Sequence, residues 1–215
     1  MVKLIMKLVV VGLMAIVVMM GGWIVKIKKD VPEKMYTVNR VIDGDTIVID
    51  NNQEIRLANI DAPEKGRCGF EEAKVEMEKL VLNKKIKIEG SVNDRFGRLL
   101  TTVWIDGKMV NEEIVRTGWV RYDSQGENKY IQNIDDEVEG KRMGIYGKCR
   151  EETNRENPEC RIKGNNREGT NDHIYVLPGC KNYAITKIAR DMGDEWFCTE
   201  KEASESGYVK ALNCE

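Results

Sequence analysis

MYTVNRVIDGDTIVIDNNQEIRLANIDAPE, residues 35–64, sets β-branched runs on either side of an acidic, glycine-containing turn. Met35 to Val41 and Thr46 to Ile49 alternate and are rich in β-branched residues, with the turn formers Asp43 and Gly44 between them, a pattern that predicts a β-hairpin. Glu54 to Ile60 reads as a third strand that stops at the Ala62-Pro63 turn. Further along, Glu71 to Leu82 sets Ala73, Val75, Met77, Leu80 and Val81 among charges, as an amphipathic helix does. Lys85 to Glu89 and Leu99 to Ile105 are two more strands. Asp106-Gly107 turns the chain into a helix over Met109 to Thr117, stopped by Gly118, and Tyr130 to Arg142 is a last helix. The fold class is α+β.

Three short blocks on this scaffold carry chemistry: DGDT (Asp43 to Thr46), IRLANIDAPE (Ile55 to Glu64) and NDRFGR (Asn93 to Arg98). They bring Asp45, Arg56, Asp61, Glu64 and Arg98. Three carboxylates and two guanidiniums are what metal-assisted cleavage of a phosphodiester requires: acids to hold a hard cation and orient water, arginines to hold a phosphate as its charge builds. Singly, each residue has an ordinary alternative. Arg56 can pair with a neighbouring acid, Asp61 can serve a turn, and Glu64 can open a loop.

In this order and spacing the blocks resemble the thermonuclease family of staphylococcal-nuclease-like domains. The likeness extends from Tyr36 to Cys149 and includes WIDGKMVNEEIVRTGW (Trp104 to Trp119) and GIYGKC (Gly144 to Cys149). It implies an OB-type five-stranded β-barrel with three helices over residues 36–150. It implies calcium bound by Asp45, Asp61 and the backbone carbonyl of Ala62, with Asp43 and Thr46 supporting that shell. Glu64 would act as general base or orient the attacking water, and Arg56 and Arg98 would clamp the scissile phosphate. The products would be 3′-phosphate ends from DNA and RNA cut with little sequence preference. The family usually carries Thr where this chain has Ala62, a change that spares a carbonyl ligand but removes a hydroxyl contact to nearby water. Trp119 and Tyr122 stand where the family places nucleotide-contacting groups, and packing is the favoured role here. The rival reading is a non-catalytic OB module that binds nucleic acid or protein; the intact acids and arginines weigh against it.

Composition limits the mode of binding. The chain has 215 residues, with 34 Lys and Arg against 36 Asp and Glu and a net charge of −2. A protein that coats nucleic acid by broad phosphate neutralisation is basic, so any affinity here must come from local arginines and a cation. The single histidine, His173, lies outside the three blocks and reads as a surface residue. Nothing suggests a protein partner, and a monomer is expected.

At the N-terminus, Leu8 to Val25 is apolar apart from glycines, about 18 residues or roughly 27 Å as a helix. Lys3 and Lys7 precede it and Lys26, Lys28 and Lys29 follow. Residues 1–29 read as a signal peptide or a transmembrane helix. Gly21-Gly22-Trp23-Ile24 is a poor cleavage site, which favours an anchor in the cytoplasmic membrane. Six cysteines, all beyond this run, suit disulfides in an extracytoplasmic protein, membrane-anchored or secreted.

Residues 151–158 form a polar linker, and residues 159–215 hold CRIKGN, HIYVLPGCKNY and EWFCTEKEASESGY. This piece looks like a small cysteine-containing module that trails nuclease-like domains in some secreted bacterial proteins. It reads as cysteine-stapled and β-rich, with one short helix near Glu200 to Ser206. Cys160, Cys180, Cys198 and Cys214 fit two disulfides or one four-thiolate zinc site, and their wide spacing favours disulfides. Cys68 and Cys149 remain for a bridge between the acidic loop and the end of the domain.

Overall fold

Strand β1 (Met35–Val41) shows how sequence and burial part company. Val38 and Val41 are both buried although they lie an odd three positions apart, because a bulge between Val38 and Arg40 inserts one residue. β1 pairs with β2 (Thr46–Ile49), and β2 with β3 (Glu54–Leu57), all antiparallel. β5 (Lys85–Asn93) returns beside β1, and β6 (Leu99–Ile105) lies antiparallel to β5. β6 then meets β3 in parallel, which closes the sheet into a five-stranded barrel in the order β3-β2-β1-β5-β6. Val38, Ile47, Ile49, Ile55, Leu57, Ile86 and Val103 fill it. Closure removes the free strand edges that an open sheet would leave. The structure is a computed structural model and describes residues 34–94, 97–123, 127–166, 173–212 and 214. Met35–Glu215 forms one compact unit.

The expected single strand over Glu54 to Ile60 is two strands. Asn59 takes a left-handed backbone (φ 62°), Ala58 N–H donates to the Thr101 carbonyl at 2.8 Å, and the chain leaves the barrel as β4 (Ile60–Asp61). β4 pairs antiparallel with β8 (Arg121–Tyr122), Asp61 opposite Arg121. β5 also runs four residues past the expected end, through a register shift between Glu89 and Val92. A short β7 (Lys108–Met109) adds a hairpin to β6.

Three helices pack on the barrel. α1 (Phe70–Val81) buries Ala73, Met77 and Val81, one stripe at i, i+4 and i+8, while Val75 stays exposed. α2 (Val110–Arg116) buries Val110, Ile114 and Val115. Its buried Asn111 donates Nδ2–H to the Ala58 carbonyl (2.9 Å) and accepts from Val103 N–H (2.9 Å), which locks the helix to the barrel. α3 (Lys129–Gly140) starts at Asn128, whose Oδ1 accepts from Ile131 N–H at 3.2 Å. A one-turn α4 (Ile145–Lys148) follows, beyond the three helices expected. It begins at Gly144, where a Cβ would collide with the Gly118 carbonyl.

Beyond the barrel, β9 (Arg150–Glu151) pairs with β12 (Ile188–Ala189). Glu151, expected in the linker, is thus a strand residue, and its Oε2 accepts from Trp196 Nε1–H at 2.6 Å. β10 (Ile162–Asn166) sits between β11 (His173–Val176) and β13 (Glu195–Phe197), with β14 (Val209–Lys210) parallel to β11. α5 (Glu200–Glu205) occupies the expected place for a short helix. Ile162, Tyr175, Phe197, Ala203 and Tyr208 form the small core here. All six cysteines pair: Cys68–Cys149, Cys160–Cys198 and Cys180–Cys214, which excludes the zinc alternative. Lys163 is buried and donates Nζ–H to the carbonyls of Tyr183 (3.0 Å) and Thr186 (2.6 Å). Among the described residues no helix is long and apolar enough to cross a membrane; the apolar run Leu8 to Val25 lies outside them.

Candidate active site

The DGDT turn builds the first half of the site. Asp43 Oδ1 accepts from the backbone N–H of Asp45 (3.0 Å) and Thr46 (2.8 Å), so the turn's first acid fixes the turn itself. Gly44 lets that turn press on its surroundings: a Cβ there would lie 2.7 Å from the Ala73 Cβ and 2.8 Å from the Ala62 Cβ. Asp45 is consequently only 2% exposed. Its Oδ1 accepts from Thr46 Oγ1–H (2.8 Å), its Oδ2 from Ala62 N–H (2.8 Å).

Arg56, on β3 opposite Thr46, joins this carboxylate to the second one. Its Nη1 pairs with Asp45 Oδ1, and its Nη2 lies 2.9 Å from Asp61 Oδ1. Burial pushes the Asp45 carboxyl up to about 7; Arg56 and the hydrogen bonds from Thr46 and Ala62 oppose that rise, and Asp43 adds to it. Burial works against the Arg56 charge, but Asp45 and Asp61 outweigh it and hold the guanidinium above its ordinary pKa. Asp61 is more open, with 39% of its side chain accessible.

Arg98 directly precedes β6. Leu100 lies opposite Arg56 in the parallel β3–β6 pairing, which brings the start of β6 beside β3. Asp94 orients Arg98: its Oδ2 pairs with Arg98 Nε at 2.8 Å and its Oδ1 accepts from Arg98 N–H at 2.9 Å. Asp94 was not among the residues singled out from the sequence. Its signal was present, an acid four residues before an arginine across a Gly97 turn of φ 80°. Glu64 is exposed at the start of the loop after Pro63, and its carbonyl accepts from Arg67 N–H at 3.0 Å. Arg56, Asp45, Thr46, Asp61 and Ala62 are in direct contact; Glu64 and Arg98 flank them on adjoining segments. Trp119 and Tyr122 are half-buried against the core, and Tyr122 OH accepts from Asn128 N–H at 3.2 Å.

The donor set suits a hard cation: carboxylates and a backbone carbonyl, with no nitrogen or sulfur ligand. Among the described residues no group of three or more His, Cys, Asp and Glu gathers at metal-binding distance. A cation here would rest on Asp45 and Asp61, with the Ala62 carbonyl and water completing its shell.

Residues 54–148 match the family described as staphylococcal nuclease homologue. Asp43, Asp45 and Thr46 precede that match. Protein ParB of Escherichia coli is 32% identical over 124 residues, 51% of this chain and 70% of ParB. A thermonuclease of Staphylococcus hyicus is 33% identical over 115 residues, 48% of this chain and 68% of that protein. Endonuclease YncB of Bacillus subtilis is 33% identical over 136 residues, 55% of this chain and 64% of YncB. With a closed OB-like barrel, paired carboxylates around an arginine and relatives of this kind, the chain belongs to the staphylococcal nuclease homologue family, a thermonuclease-like family of endonucleases.

Proposed function

We propose that the protein is a calcium-dependent endonuclease that hydrolyses DNA and RNA with little sequence preference and leaves 3′-phosphate ends. The observation that carries this reading is the contact of one arginine, Arg56, with two acids, the buried Asp45 and the open Asp61. Asp45 and Asp61 are the calcium ligands, together with the Ala62 carbonyl. Bound calcium would polarise the phosphate and supply charge stabilisation as the bond breaks. Arg56 already neutralises two carboxylates; once that duty passes to a divalent charge, its N–H groups are available to phosphate oxygens. Arg98, held by Asp94 just before the strand that pairs with β3, supplies a second guanidinium for the phosphate. Glu64 is exposed and takes the proton of the attacking water. The near-neutral charge of the chain fits an enzyme that holds substrate at the site and releases product.

The three disulfides and the apolar N-terminal run support a place outside the cytoplasm, membrane-anchored or secreted, for a monomer that works without a protein partner. The test is cleavage of plasmid DNA, heat-denatured DNA and RNA by the full chain with calcium, then with a chelator, followed by labelling of the product ends. The reading expects cleavage of all three in calcium, none in chelator, and 3′-phosphate termini. Cleavage that persists in chelator removes the calcium role, and 5′-phosphate termini remove the proposed direction of attack.

A further inference from the structure

One short turn beyond the barrel touches two arginines, Arg121 and Arg67, that adjoin Asp61 and Glu64 of the candidate site. The 3-10 turn Arg190–Met192 carries Asp191, whose side chain is fully buried (0% exposed). Asp191 is ion-paired with Arg121, itself 9% exposed in its side chain, and lies 3.6 Å from Arg150 Nη1. A carboxylate withdrawn from water this completely persists only when paired. Arg121 belongs to β8 and is the cross-strand partner of Asp61.

Met192 and Gly193, which end the turn, hold Arg67. Arg67 Nη1 donates to the Met192 carbonyl at 2.6 Å, and the Arg67 guanidinium lies against Gly193, where a Cβ would come within 2.8 Å of its Cζ. Arg67 is in turn hydrogen-bonded through its N–H to the carbonyl of Glu64 (3.0 Å). The turn is fixed to the barrel side by Arg190 N–H donating to the Cys149 carbonyl (2.9 Å), and Cys149 is bridged to Cys68, beside Arg67.

The mechanical need is evident from strand length. β4 and β8 are two residues each, and among the described residues they pair only with one another. So short a ladder cannot by itself hold a carboxylate to the tolerance a two-carboxylate cation site requires. The side chain of Arg121 is gripped from outside the ladder by Asp191.

We propose that Asp191 is a positioning residue for the nuclease site. Through Arg121 it fixes the β4–β8 pair and hence Asp61, while the adjoining Met192 and Gly193 steady the Glu64 turn through Arg67. The C-terminal segment is then a brace for catalysis. This rests on the calcium-nuclease reading above, and the experiment separates the two. Asp191→Asn, Asp191→Glu and Arg67→Gln are made in the full chain. Calcium binding is measured by calorimetry, and kcat and the calcium midpoint are measured on plasmid DNA, at a temperature where circular dichroism shows every variant folded. Asp191→Asn should weaken calcium binding and raise the calcium midpoint about tenfold, the usual range for residues that orient metal ligands, and Asp191→Glu should recover part of both. Arg67→Gln, at an exposed position, should lower kcat about threefold with calcium binding unchanged, a smaller effect than loss of a ligand-orienting partner. Should Asp191→Asn fail to fold, Arg67→Gln decides: wild-type kcat in that variant overturns the brace. A folded Asp191→Asn with wild-type calcium binding and kcat, and only a lower Tm, overturns it too. A wild-type chain that binds calcium and cleaves while its variants match it loses the brace alone. One that neither binds nor cleaves loses the calcium-nuclease reading and the brace together.

Discussion

The barrel and the segment beyond it are stabilised by different means. The barrel and its helices share one continuous apolar core, from Val38 in β1 to Tyr146 in α4, supplemented by the single bridge Cys68–Cys149. Among its described residues the C-terminal segment gathers five buried side chains into its core, and it relies on two disulfides and on buried polar groups: Lys163 on two carbonyls, and Asp194, whose oxygens accept from the N–H groups of Asn166 and Ala189. A core of that size does not offset the conformational entropy of so many ordered residues. The barrel is thus held chiefly by apolar packing, with its acids and Arg56 gathered at one rim, whereas the smaller segment depends on cross-links and on buried polar groups such as Lys163 and Asp194.

The largest effect that would sharpen this contrast lies at Glu64. Glu64→Gln should lower kcat about 100- to 10,000-fold, the range for loss of a general base, with calcium binding and Tm unchanged, since the side chain is exposed and belongs to no core. Turnover near the wild-type rate would take Glu64 out of the chemistry.

Disulfide reduction comes next. The Cys160–Cys198 and Cys180–Cys214 bridges span 38 and 34 residues, and loops of that size contribute roughly 3 to 4 kcal/mol each. With a mild reductant, hydrogen exchange should speed up at the amides of 162–166 and stay slow at those of 47–57. Simultaneous loss of protection in both would mean that the two regions are not stabilised separately.

The third test is pH. Without calcium, burial raises Asp45 from its ordinary 3.8 to about 7 in the folded chain. A raised carboxyl binds its proton more tightly when folded, so its contribution to stability is complete below about 3.8 and is lost as pH rises through about 7. Calcium bound at Asp45 as proposed would compete with that proton, and its apparent affinity should therefore rise with pH, by up to about tenfold per unit below 7, and level off above. Calorimetric titrations between pH 5 and 8 check this, and a flat profile would contradict it. The smallest effect is Arg98→Lys, which keeps the charge but loses the planar grip; about a tenfold drop in kcat/KM is expected, and an unchanged value would leave Arg98 a structural partner of Asp94.

Legibility in the sequence follows the same divide. The alternation of Ile47, Ile49, Ile55 and Leu57, and the Ala73, Met77, Val81 spacing, are local signals, and the barrel strands and α1 follow from them. The break at Asn59 was hidden because an apolar run continues across it; only the left-handed backbone reveals it. Asp45, Arg56 and Asp61 were legible because they lie within short blocks on neighbouring strands. The Asp191–Arg121 pair was not, since 70 residues separate its members and no periodicity marks a buried acid. Lys163 has the same history: a lysine reads as surface, and only the carbonyls of Tyr183 and Thr186 explain its burial.

In the proposed function, Asp45, beside Arg56 and Asp61, holds the calcium on which cleavage depends. The most direct measurement is calcium calorimetry and plasmid cleavage on full-length Asp45→Ala beside the wild type. Asp45→Ala should fold yet neither bind calcium at the wild-type affinity nor cleave; cleavage at the wild-type rate in the same calcium would contradict the proposed role of Asp45.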